Sequence, residues 1–372
     1  MYKFAHSYLI VFLAHVVRRA KENKYAWGKI LLLFTAVFAC SLSGCADEAT
    51  SAKEAEKEYQ SELFAMDTYM TFTAYGAQAE EALAEAEDKI LELESLWSVT
   101  DEGSDVYAVN HSSQGADVSR ETAQLAAFAL DMAEKTGGAL EPTIYPVLSA
   151  WGFTTEENRI PAQKELRQLL QSVGYDRVRI DGEHIAMEEG TMLDLGSVGK
   201  GYAGELAAKI LKSKGVASAL LDIGGNIQTV GSKPDGSDWR LGIQSPFGEG
   251  SLGVLAVSDR AVVTSGNYER YFTGSDGTQY GHIIDPSTGY PVDNGMASVT
   301  VIAEEGSLCD ALSTSLFVMG LEKAADYWRA NPGFEMILIR EGGEIYLTEG
   351  ADERFTPNAD SAVTVHKILK ET

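Results

Sequence analysis

Three polar segments in the C-terminal half, each embedded in apolar surroundings, constrain this chain most. They are Asp194-Leu-Gly-Ser-Val-Gly-Lys200, Tyr280-Gly-His-Ile-Ile-Asp-Pro-Ser-Thr-Gly289 and Cys309-Asp-Ala-Leu-Ser-Thr314. The first stands between an expected strand (Thr191 to Leu195) and a helix. Glycines at that junction let backbone approach a ligand, and a helix N-terminus favours an anion there. The same residues would equally make a tight β–α turn with a solvated lysine. The run is neither a P-loop nor a Gly-x-Gly-x-x-Gly fingerprint. In the third segment Asp310 and Thr314 stand four residues apart, hence on one face if Ser307 to Met319 is helical. A carboxylate and a hydroxyl there, with no His close by in sequence, suit a hard cation such as Mg²⁺. The plainer reading is a helix-dipole contact for Asp310 and a bond from Thr314 back to a carbonyl.

Charge narrows the partners. The 372 residues carry 30 basic and 55 acidic side chains. An apolar run from Ile30 to Ala39 follows Lys24 and Lys29 and ends in Leu42-Ser-Gly-Cys45, like a secretory h-region closed by a lipobox. That resemblance implies cleavage before Cys45 and acylation of its thiol. Without residues 1–44 the chain holds 24 basic against 54 acidic residues, near −30. So acidic a body excludes nucleic acid and anionic lipid as natural partners. A bound phosphate would need local compensation from a metal, a lysine or backbone amides. Cys309 is then the one cysteine left in the body, so no disulfide framework is expected.

The pattern along the chain predicts an α+β body with α/β-type mixed sheets, one continuous and at most bilobed domain. Residues 45–60 read as a flexible tether, residues 61–350 as the folded domain and residues 351–372 as a C-terminal tail. Alternation from Leu63 to Thr73 predicts a strand, and helical spacing covers Ala79 to Trp97 and Ser119 to Lys135. A short helix at Gln163 to Val173 precedes a hairpin turning at Asp181-Gly182. A helix is expected over Gly201 to Lys214, and Ala217 to Val230 reads as a buried strand broken by Asp222-Ile-Gly-Gly-Asn226. Further strands are expected at Gly253–Val257, Ala297–Ala303 and Met336–Thr348, the last a hairpin. His282, beside a turn-forming Asp285-Pro-Ser-Thr-Gly, reads as a structural residue or a catalyst with equal force.

In this order, the segments resemble the ApbE family, the FAD:protein FMN transferases, over Leu63 to Thr348. The likeness rests on Ala65-Met-Asp-Thr68, Glu141-Pro-Thr-Ile-Tyr-Pro146 with Trp151-Gly-Phe153, Asp194 to Gly201, Asp222 to Asn226, Thr264-Ser-Gly266, His282 to Gly289 and Asp310-Ala-Leu-Ser-Thr314. It implies a Mg²⁺-dependent enzyme that moves the FMN moiety of FAD onto a Ser or Thr hydroxyl of an acceptor protein, a redox or electron-transfer subunit, releasing AMP. The competing activities are hydrolysis of FAD to FMN and AMP, and FAD carriage without chemistry. The resemblance further implies metal ligation by the side chains of Asp310 and Thr314 and the main-chain oxygen of Ser197. It implies FAD contacts at Met66, Trp97, Ala139, Leu140, Glu141, Asp194, Lys200 and Ile284. His282 matches a family histidine proposed to assist the chemistry; a base at Asp194 or Asp285 is the alternative. With its leader, the chain is expected to be lipid-anchored outside the bacterial cytoplasm. Three positions depart from the family pattern: Asp67 for a glycine, Asn226 for an aspartate and Glu141 for a frequent aspartate.

Overall fold

The computed structural model describes residues 57–155, 157–359 and 363–370. The leader and Cys45 lie outside these residues. Among the described residues no helix is long and apolar enough to cross a membrane.

A nine-stranded sheet organises the body, and its strands follow chain order from edge to edge. They are β1 (Glu58–Ala65), β2 (Thr68–Tyr75), β3 (Ser218–Ile223), β4 (Asn226–Val230), β5 (Ala261–Gly266), β6 (Met296–Ala303), β7 (Glu335–Arg340), β8 (Glu344–Thr348) and β9 (Thr364–Ile368). Every pairing is antiparallel except β8 with β9. Four longer helices accompany it: α1 (Ala79–Trp97), α2 (Arg120–Lys135), α3 (Gly196–Ser213) and α4 (Gly306–Ala330). The main core joins these helices to the sheet through Met70, Phe72, Ile90, Leu93, Val299, Val301, Leu316 and Phe317. A second core lies under a three-stranded sheet that includes Trp239–Gln244 and Ser251–Val257. The α+β expectation is therefore met.

Local chemistry explains where the elements differ from the sequence reading. The single strand expected over Leu63 to Thr73 is a hairpin, because Met66 and Asp67 take φ of 50° and 57° and turn the chain in two residues. Aspartate tolerates that conformation, which accounts for Asp67 where a glycine is usual. The expected buried strand over Ala217 to Val230 is also a hairpin. Gly224 and Gly225 (φ 59° and 91°) form its turn, and Asp222 Oδ1 accepts the Gly225 N–H at 2.7 Å. The helix expected from Gly201 begins at Gly196, and the one expected to end at Met319 runs to Ala330 through a kink at Gly320. The first strand begins at Glu58, within the segment expected as tether. The segment expected as a tail carries strands: Phe355–Pro357 pairs with Ser251–Val257, and β9 closes the main sheet.

The closest approach of two helices positions everything that follows. A Cβ on Gly201 would fall onto the Gly306 carbonyl and 2.6 Å from Asp310 Cβ, and one on Gly306 would fall onto the Gly201 carbonyl. Glycine at both positions lets α3 and α4 meet backbone to backbone. Gly201→Ala should therefore cost roughly 1–3 kcal/mol by overpacking and lower the unfolding midpoint by several degrees. Gly103→Ala, whose Cβ would meet only Asp101 Oδ1 at 3.4 Å, should leave it almost unchanged. Equal midpoints for the two variants would show that the helices do not depend on this contact.

Candidate active site

One end of the sheet gathers the motifs. The turns β1–β2 and β3–β4 lie side by side there: Met70 pairs with Ile223, and a Cβ on Gly224 would strike the Thr68 side chain. Strand β5 runs to the same end and delivers Thr264, Ser265 and Gly266; α3 starts there, and α4 runs toward it, bringing Ser313 to Ser265.

At the α3–α4 contact, Asp310 is buried with only 5% of its surface exposed, and its Oδ2 accepts the Gly201 N–H at 2.7 Å. A regular helix directs that N–H to the Ser197 carbonyl. The second acceptor loosens the claim on this oxygen. Burial raises the Asp310 carboxyl to about 6, against the opposing pull of the Lys200 ammonium and the Gly201 N–H. Asn226 also lies beside it and favours the carboxylate, although its buried Nδ2 forms no full hydrogen bond. Thr314 is half-buried one turn along α4, with Ser265 Oγ at 3.3 Å from its hydroxyl. Ser265 Oγ donates to Ser313 Oγ at 2.9 Å, which ties β5 to α4.

These donors fit a hard cation. Asp310 keeps a carboxylate oxygen beyond the one that Gly201 engages, and Thr314 and Ser197 add a hydroxyl and a carbonyl oxygen. Among the described residues no group of three or more His, Cys, Asp or Glu could hold a metal. A cation here would thus meet one carboxylate and neutral oxygens, leaving room for phosphate and water, as Mg²⁺ prefers.

His282 occupies a separate wall. Its Nδ1 lies 3.1 Å from the Arg270 carbonyl, which can only accept, so Nδ1 carries the proton and Nε2 keeps its lone pair. Burial first, then the Arg270 and Lys200 charges, lower the imidazole to about 4. The ring retains some solvent contact, which tempers the shift. The group is neutral at physiological pH and shaped as a base. Aromatic packing fixes its loop. Trp151 Nε1 donates to the Gly289 carbonyl at 2.8 Å, and Phe272, Tyr280 and Tyr290 surround the indole. Asp285 Oδ1 accepts from Ser287 N and Oγ at 2.9 and 2.7 Å, which holds that loop.

The remaining expected residues divide. Met66, Asp194, Ser197 and Lys200 belong to the end of the sheet or the first turns of α3. Asp194 Oδ1 accepts the Gly196 N–H at 2.7 Å, and burial raises its carboxyl against that bond and the Arg270 charge. Trp97 is only 8% exposed, packed edge-on to Tyr202 and beside Gly199. It therefore offers little ring face, and its buried Nε1 has no hydrogen-bond partner in the protein. Leu140 and Ile284 point into cores. Glu141 is buried and accepts from Thr143 N, Thr143 Oγ1 and Tyr175 N, so its side chain is structural. Ala139 is half-buried and reaches a ligand only through backbone or methyl.

The sequence reading did not single out Glu269 and Arg270, and it noted Asn226 only as a departure from the family pattern. The Glu269 carboxyl is raised to about 7, chiefly by desolvation and then by Asp310 against the pull of Lys200, although the residue's exposure to solvent limits the effect. The polar run after Thr264-Ser-Gly266 was the available signal for the first two, but nothing in it distinguished a cleft from a surface loop.

The His282 value has a thermodynamic sign. Between pH 6.5 and about 4 the unfolded chain takes up a proton that the folded chain refuses, so this group lowers stability as pH falls through that window. An NMR titration should place the His282 midpoint well below the ordinary histidine value of 6.5. A midpoint near the ordinary value would show a solvated, protonatable ring.

In sequence and fold the chain is similar to known proteins. A FAD:protein FMN transferase of Treponema pallidum (strain Nichols) is 30% identical over 339 residues, covering 85% of this chain and 92% of that protein. The crystal structure of an ApbE protein from Thermotoga maritima superposes with a TM-score of 0.76 at 33% identity, covering 80% of this chain and 99% of that one. The apo flavinyl transferase ApbE of Pseudomonas stutzeri gives a TM-score of 0.73 at 29% identity, covering 82% and 98%. The ApbE family profile matches residues 66–338. The chain belongs to the ApbE family.

Proposed function

We infer that this chain is a FAD:protein FMN transferase: it moves the FMN moiety of FAD onto a Ser or Thr hydroxyl of an acceptor protein and releases AMP. The observation that carries this reading is the pairing of a buried, lysine-flanked carboxylate, Asp310, with a neutral histidine whose Nε2 lone pair is available. The transferases named among its relatives support it.

Each group has a task. The first turn of α3 and Lys200 attract the pyrophosphate, which the acidic body would otherwise repel. Asp310, Thr314 and the Ser197 carbonyl would hold Mg²⁺, which when bound neutralises pyrophosphate charge and makes phosphorus a better electrophile. His282 Nε2 takes the proton of the acceptor hydroxyl as its oxygen bonds the FMN phosphorus. The bridging P–O bond breaks, and AMP leaves with the bridging oxygen and its electron pair. The Arg270 carbonyl holds the imidazole in the tautomer this requires, and the Trp151 cluster holds its loop. Lipidation at Cys45 would tether the enzyme to the outer face of the cytoplasmic membrane, beside extracytoplasmic acceptors.

The purified chain, FAD and Mg²⁺ are assayed with and without a soluble flavin-acceptor domain, following AMP and flavin fluorescence on a denaturing gel. Fluorescent acceptor with equimolar AMP supports the transferase. AMP and free FMN without labelled protein would make it a hydrolase, and bound, intact FAD a carrier. Asp310→Ala should abolish metal-dependent turnover without unfolding the chain. His282→Ala should slow transfer by about 10²–10⁴-fold while FAD affinity changes little. Parental rates in either variant would overturn the role given to that residue.

A further inference from the structure

Two buried amides lie beneath the α3–α4 crossing, and the proposed chemistry leaves both unused. Asn226 and Gln228 share one face of β4 and are each 5% exposed. Gln228 lies under the start of α4, because its Oε1 would stand 3.1 Å from a Cβ on Gly306. Its own Cβ would stand 3.7 Å from one on Gly204, so α3 covers it as well. Two residues of strand advance about 6.6 Å and four of helix about 6 Å. α4 thus runs back along β4, with Gln228 under Gly306 and Asn226 under Asp310, and the Asn226 amide favours the Asp310 carboxylate. Among the described residues, neither Asn226 Nδ2 nor Gln228 Oε1 has a full hydrogen-bond partner. An unpartnered buried donor is costly, so one kept beside a buried carboxylate points to a task there. Nearby charge is balanced, since Lys200 and Glu269 reach the same region with opposite signs.

We propose that Asn226 is a positioning residue for the cation site: its amide holds the Asp310 carboxylate without adding charge, so the protein alone binds a divalent cation weakly. The ionised FAD pyrophosphate then supplies the negative charge that completes the site. This rests on the cation assignment within the transferase reading. Groups that hydrogen-bond a ligating carboxylate orient it and set its strength as a ligand. A single carboxylate cannot neutralise a dication, and Mg²⁺ is commonly held by one or two carboxylates together with substrate phosphates. Linkage makes the effect reciprocal: FAD raises cation affinity by the factor by which the cation raises that of FAD. An aspartate at position 226 would keep the shape of the amide but bring a second carboxylate to the cation, and it would repel the pyrophosphate when no cation is present. A leucine there would keep the volume and remove the donor, leaving the Gly201 N–H to hold Asp310.

The test titrates the full-length chain in detergent with Mg²⁺ by calorimetry, with and without FAD, at a pH well above the Asp310 midpoint. FAD affinity is read by flavin fluorescence with and without Mg²⁺, and AMP is followed so that only intact FAD counts. In the parent, FAD should raise Mg²⁺ affinity about tenfold or more. Asn226→Asp should raise Mg²⁺ affinity without FAD about tenfold and lower FAD affinity without Mg²⁺. Asn226→Leu should lower Mg²⁺ affinity about tenfold or more, while FAD affinity without Mg²⁺ stays close to the parental value. A merely structural amide would lower the unfolding midpoint in both variants and move Mg²⁺ affinity in neither, which overturns the proposal. So does a parent that binds Mg²⁺ equally well with and without FAD. A parent that binds no Mg²⁺ even with FAD removes the cation assignment itself, and the proposal falls with it. If either variant unfolds, Asn226→Ser, shorter and neutral, replaces it and should lower Mg²⁺ affinity as leucine does.

Discussion

The contact between Gly201 and Gly306 is the constraint on which the site depends. Two helices can bring their backbones together only where neither carries a Cβ. That closeness lets the Gly201 N–H reach the Asp310 carboxylate, and it buries the carboxylate at the same time. A buried carboxylate is costly unless partnered. Here an N–H, the nearby Lys200 and the Asn226 amide supply part of the compensation, and a cation would supply the rest. The same few atoms thus fix the helix packing and create the demand for positive charge.

This arrangement resolves a conflict set by the chain as a whole. With 55 acidic residues against 30 basic, the body repels phosphate at long range. Binding FAD therefore depends on local fields: the start of α3, one lysine and the proposed cation site, gathered at one end of the sheet. The wall proposed to be catalytic is kept electrically distinct. His282 is held neutral by burial and by the cations near it, so it can accept a proton although it stands close to groups that must attract anions.

Much of this was legible in residue order, and the failures have physical causes. α1 and the hairpin at Gly182 follow directly from periodicity and turn chemistry. The hairpin at Met66–Asp67 did not, because two non-glycine residues at positive φ give no turn signal, and the alternation of apolar residues continues across them. The strand at Thr364–Ile368 was hidden as well. Four of its five residues retain at least partial exposure at the edge of the sheet, so no hydrophobic run announced it. The resemblance implied an FAD contact at Glu141, and residue order left Asp285 open as a base; only the fold shows that each also accepts hydrogen bonds from nearby residues.

The amino-acid sequence by itself determined the family, the acidity, the expected metal pair on one helical face and the glycine-rich junction, because these are properties of residue identity and spacing. Only the tertiary structure decided which polar groups share a site. Residues more than a hundred positions apart, such as Gly201 and Asp310, meet through a helix crossing that no local pattern encodes. The tautomer of His282 likewise follows from a carbonyl twelve residues away, brought close by the pairing of Tyr271–Thr273 with Gln279–Gly281. Protonation and proximity are set by packing, and packing is a property of the folded chain.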